Sequence, residues 1–219
     1  MYSICFTIAG VIFSILLFVL YNFKSNLKLL ENKIYYGIIV TTIIAGLIEI
    51  YSFILVRTSI FVNSVLFSLK SLFLCFLVWI YLFTIYTVIV TINLKNKDYS
   101  RYRLAIIIST IVFIIVSLTT MILPIDIIET DGLLLPTGVG VDIIYVLSVI
   151  ISNRRNLKNK KYYPMYFLLV ILGIMIIVQK IFPSLLLINF SLSILIYIMY
   201  FTIENPDIKL IKDLSYTRR

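Results

Sequence analysis

Glu49, Lys70 and Asp142 are charged side chains within or at the edge of long apolar runs. A charged group in hydrocarbon is costly, and one that is retained there faces a partner, water or a bound group. Glu49 lies about 20 Å into its run at 1.5 Å of rise per residue. Asp142 follows Pro136-Thr137-Gly138-Val139-Gly140, a stretch that predicts a broken or late-starting helix. Irregular backbone at that depth needs cover from protein or a water-filled cavity. Lys70 stands at the edge of its run, where its stem can carry the ammonium to water. Two readings follow. Glu49, Asp142 and Lys70 line one outward-facing pocket for a small ligand of unidentified chemistry, or they are three separate groups, each paired or hydrated. Asn189 and Gln179 are expected to make interhelical hydrogen bonds. Trp79 and the tyrosines are expected to serve as packing and interface anchors.

Other chemistry lacks its residues. The chain contains no histidine, which removes a Ser-His-Asp triad, a Cys-His pair and a histidine metal site. Cys5 and Cys75 both fall in apolar runs and are expected to be buried and inert. No Gly-x-x-x-x-Gly-Lys loop is present to hold a nucleotide. Glu49 and Asp142 could form an intramembrane protease dyad only with supporting residues that neither has around it. No catalytic residue, no metal and no cofactor is expected.

The elements that must position these groups are apolar helices. Of 219 residues, 62% are hydrophobic and 13% charged, against about a half and a quarter in soluble domains. Runs of about twenty apolar residues match the roughly 30 Å of a bilayer core. Seven such segments can be drawn: Tyr2–Tyr21, Ile34–Val56, Ser71–Ile92, Leu104–Leu123, Leu133–Ser152, Pro164–Phe182 and Ser184–Thr202. The third has room for an interfacial turn beginning near Phe61. No positive charge precedes the first run, so it reads as a helix with its N-terminus outside and not as a cleaved signal.

Charge supports that parsing. The net charge of +9 comes from 19 basic and 10 acidic residues scattered through short loops, a distribution unlike a nucleic-acid surface. Only Arg57, Lys70 and Lys180 fall on one side of the seven-segment arrangement, and the remaining 16 basic residues fall on the other. Short-loop Lys and Arg stay cytoplasmic. The expectation is therefore an all-α integral membrane bundle of about seven helices, N-terminus outside and C-terminus in the cytoplasm. Residues 1–203 would form the membrane domain and 204–219 a cytoplasmic connector stub. Bilayer lipid is the partner so implied, at a plasma membrane crossed many times; nucleic acid is not.

The last segment ends in Glu204-Asn205-Pro206-Asp207, followed by Ile208, Ile211 and Leu214 on one helical face. The residue before a proline avoids helical backbone, so Asn205 should end the last span. Asn205 can then cap a new helix with Pro206 in its first turn and Asp207 on its dipole. Thr202-Ile203-Glu204-Asn205-Pro206-Asp207, the Gln179-Lys180-Ile181-Phe182-Pro183 turn and the Asn- and Lys-rich fifth loop resemble the seven-helix N-terminal sensor region of bacterial two-component histidine kinases. That resemblance implies a bundle that senses a stimulus and passes it through Glu204, Asn205, Pro206 and Asp207 to a dimeric connector. Kinases of that family continue into a phosphoacceptor helix and an ATP-binding domain. Here the chain ends at Arg219 without a histidine, so it is expected not to be an enzyme by itself. The rival readings are a small transporter working through Glu49 and Asp142, and a structural subunit of a larger membrane complex.

Overall fold

A computed structural model describes residues 3–23, 30–58, 62–95, 99–122 and 187–203 continuously, with isolated residues between 166 and 181. Four helices come first: α1 Ser3–Phe23, α2 Leu30–Thr58, α3 Val62–Lys95 and α4 Tyr99–Ile122. The described residues between 166 and 181 are all helical and mark α5. The last helix, α6, is Ile188–Ile203.

The expectation of seven spanning helices is corrected here. Six helices are present among the described residues, and three of them are long and apolar enough to cross a membrane. These three are Ile4–Phe23, Leu30–Thr58 and Asn63–Val90. The reason lies in length. The apolar part of α4 is Ile106–Ile122 and that of α6 is Ile188–Phe201, which rise about 26 Å and 21 Å against a core of about 30 Å. The segment Leu133–Ser152 lies outside the described residues, and Pro164–Phe182 is described only in part. Three apolar helices of this length fit a multi-pass membrane protein.

The described helices pack in sequence and then close back on themselves. α2 lies against α1 and α3, α3 against α4, and α6 returns to pack on both α1 and α2. Contacts with α6 are aromatic along one flank: Phe190 against Phe6 at 5.6 Å and Tyr197 against Phe13 at 6.3 Å between ring centroids. Tyr197 also donates to the Phe13 carbonyl at 3.0 Å. On the opposite flank Tyr35 Oη donates to the Ile196 carbonyl at 2.7 Å. Tyr35 packs edge-on against Tyr21, whose hydroxyl donates to the Asn32 carbonyl. α6 is thereby tied to its neighbours by hydrogen bonds from both α2 and its own tyrosine.

Each helix turns its small and polar residues inward. On α1, Thr7, Ser14, Leu17 and Tyr21 are buried while Ile8, Ile12, Ile15, Leu16 and Val19 face outward. On α2 the buried set includes Tyr35, Ile38, Thr42, Ala45, Gly46, Glu49 and Ser52. Outward Leu and Ile can be solvated by lipid tails, whereas small inward residues let backbones approach closely. Inward hydroxyls satisfy themselves locally: Ser14 donates to the Gly10 carbonyl, Thr42 to that of Ile38 and Ser52 to that of Ile48.

Trp79 sits at the centre of the α2–α3 contact, 1% exposed. Its indole N–H donates to Thr42 Oγ1 at 3.0 Å, and its ring stacks on Phe83 at 5.4 Å. It is a core residue here, not an interface anchor.

Candidate functional site

At one end of the bundle three helices meet with unusually little between their backbones. A Cβ added to Gly10 of α1 would stand 3.0 Å from the Phe190 Cα and 3.3 Å from the Asn189 carbonyl oxygen. On α2, a Cβ at Gly46 would collide with Asn189 Nδ2 and with Val11 Cγ2. At Gly10 the α6 backbone takes the space a side chain would fill, and at Gly46 the side chains of Asn189 and Val11 take it.

Glu49 lies one helical turn beyond Gly46, on the same face, and is 4% exposed. It is about 14 Å from the C-terminal end of α2, at 1.5 Å per residue. The neighbouring polar group is the hydroxyl of Thr7, one turn before Val11 on antiparallel α1. Asn189, at the first turn of α6, lies over Gly46. Thr7 and Asn189 are both fully buried. Within this junction both amide atoms of Asn189 make no hydrogen bond, while Thr7 Oγ1 and Glu49 lie close enough for the hydroxyl to steady the carboxylate, in a geometry too loose for a well-formed bond. A buried polar atom left unpaired costs roughly 1–3 kcal/mol. Two such atoms on Asn189, beside a loosely held Thr7–Glu49 pair, are therefore a strong departure from ordinary packing.

Asn189 overturns one expectation directly: its amide makes no interhelical hydrogen bond. Thr7, Gly10 and Ser14 on α1 and Thr42, Gly46 and Glu49 on α2 recur every three or four residues, the small-residue stripe of a close helix contact.

Lys70 is placed elsewhere. α3 is unbroken from Val62, with no interfacial turn before Ser71, and Lys70 Nζ donates to the Met121 carbonyl at 2.9 Å. It caps the last turn of α4, where the carbonyls lack helical donors. Glu49 and Lys70 thus belong to different contacts. Asp142, Gln179 and the Glu204–Asp207 element, with Asn205 and Pro206, lie outside the described residues. Both cysteines differ from expectation: Cys5 is exposed and Cys75 half-buried, neither in a disulfide, because the apolar outer face rather than the core takes them.

A second buried polar group occupies the other end of α2. Glu31 and Asn32 are buried there, and Glu31 acts electrostatically on Tyr86 of α3. The Tyr86 ring is fully buried, and its hydroxyl makes no hydrogen bond. An acidic residue in the first turn favours the helix dipole, and this position escaped notice because Glu31 sits in a charged, loop-like stretch of sequence. Among the described residues no group of three or more His, Cys, Asp or Glu could hold a metal ion.

Family models, curated proteins and solved structures were compared with the chain, and none matches. The seven-helix bundle that the C-terminal resemblance implies is corrected: among the described residues there are six helices, three of them long and apolar enough to cross a membrane.

Proposed function

We propose that the chain is a membrane-embedded signal-input domain, not catalytic by itself, in which the junction of α1, α2 and α6 is the input site and α6 the output. The observation that carries this reading is Asn189, fully buried at a close helix crossing with both amide atoms unpaired. A small shift of α6, or a group bound between the helices, would pair that amide. Packed interfaces of this kind hold one of two discrete seats rather than deforming smoothly. α6 then leads directly in sequence to Glu204, Asn205, Pro206 and Asp207, whose stop-and-restart chemistry suits a rigid coupler. Homodimerisation through the connector and residence in a bacterial plasma membrane complete the reading.

The test is a fusion of the chain through its C-terminal segment to a dimeric reporter kinase. Asn189→Leu and Pro206→Ala should each change reporter output about fivefold or more while membrane insertion stays unchanged, the range typical of coupled sites. Output equal to the unsubstituted fusion in both variants would refute an input role.

A further inference from the structure

We propose that Thr7, Glu49 and Asn189 form a binding site for one small monovalent cation of the sodium class. This inference rests on reading the junction as the input site and names what it takes. Hard cations are held by oxygen ligands. The junction presents three kinds of oxygen: the hydroxyl of Thr7, the carboxylate of Glu49 and the amide carbonyl of Asn189. Asn189 Oδ1 is buried and makes no hydrogen bond, and Thr7 Oγ1 and Glu49 Oε2 are buried beside each other without a well-formed bond. Antiparallel register brings them together. Val11 meets Gly46, so Thr7 and Glu49, one turn further along each helix, fall side by side. Asn189 enters from α6, one turn away across Gly46.

Charge and size select the ligand. A single carboxylate neutralises one monovalent cation, whereas a divalent ion would leave a net positive charge in an apolar setting. Lys70, which could have supplied that neutralisation internally, is committed to the Met121 carbonyl. The α6 backbone lies against Gly10, and the side chains of Asn189 and Val11 fill the space over Gly46, which leaves no room there for an organic molecule. A bare ion fits that constraint, and coordinating it would pair the Asn189 carbonyl and draw α6 towards α2.

The full chain, purified in lipid nanodiscs, can be titrated with sodium chloride against choline chloride at constant ionic strength and pH. Sodium should raise the unfolding temperature saturably, on the order of 5 °C at a hundredfold excess over Kd. Glu49→Gln, which keeps the side-chain shape, should weaken sodium binding at least tenfold, and Thr7→Val should weaken it less. A sodium response absent from the unsubstituted chain, or undiminished in both variants, would overturn the proposal. Cross-linking between α1 and α6 separates this from the input reading. Sodium binding that leaves α6 in place would sink the input role and keep the ion site. A junction substitution that moves α6 without any sodium effect would do the reverse.

Discussion

Gly46→Leu will detach α6 from α2 and lower the stability of the folded bundle by about 3 kcal/mol, the upper part of the overpacking range. Even a single methyl at this position collides with Asn189 Nδ2 and Val11 Cγ2, and the remainder of a leucine side chain has nowhere to turn. A methyl can be relieved by swinging the Asn189 amide and the Val11 side chain aside, but a leucine also pushes on α6, which strains the Tyr35 bond to the Ile196 carbonyl and the Tyr197 bond to the Phe13 carbonyl. Two controls separate collision from a generic loss of glycine. Gly37→Leu, where a Cβ would meet only Leu82 Cδ1 at 3.5 Å, should cost far less. Gly46→Ala combined with Asn189→Ala should be milder than the two single effects summed, because the shortened asparagine vacates the space. Unfolding of the purified protein by titrated denaturing detergent measures all of these.

Trp79→Ala is expected to have the next largest effect, also about 3 kcal/mol. That value is the low end for removing a large aromatic from a core, because here the displaced helices pack against lipid rather than water. The substitution removes the stack on Phe83 and the indole hydrogen bond to Thr42 Oγ1 together. Trp79→Phe separates the two. It retains an aromatic ring but loses the hydrogen bond, worth about 0.6 kcal/mol between membrane helices, so it should cost well under half as much. Equal losses for the alanine and phenylalanine variants would mean that the hydrogen bond, not the packed ring, holds α2 to α3.

How much of this was legible in the sequence depends on which physical quantity each residue reports. The apolar runs that became α1 and α2 were placed within a few residues, since transfer into lipid is a property of composition. The same criterion failed where composition and length part company. α4 and α6 read as spans by their isoleucines, yet among the described residues their apolar stretches, Ile106–Ile122 and Ile188–Phe201, fall short of a bilayer's thickness. α3 was misjudged in the other direction. Lys70 looked like an edge, but its long stem lets it reach the α4 carbonyls from within a continuous helix.

Glu49 was legible because a carboxyl in an apolar run has no inexpensive explanation. Its partners were not, because neutral polar residues pass unnoticed in a hydropathy sum. Thr7 and Asn189 contribute little to such a sum, yet the crossings at Gly10 and Gly46 decide that they are buried beside Glu49. Trp79 carried the opposite ambiguity. An indole suits a membrane interface and a core equally, and only Thr42 on the facing helix settles which. The outer placement of Cys5 follows from the same inversion, in which lipid accepts what a soluble protein would bury.

The central claim is that α6 occupies a poised seat on α1 and α2, held against an unpaired Asn189. It is tested most directly by cross-linking a cysteine pair, Phe13→Cys with Tyr197→Cys, in a chain carrying Cys5→Ser and Cys75→Ser. These positions face each other across the α1–α6 contact. Adding Asn189→Leu removes the unpaired amide, and the account predicts that the cross-linking rate in native-like membranes then changes about fivefold or more. An unchanged rate, at equal insertion, would mean that α6 has one fixed seat and that the junction is packing alone.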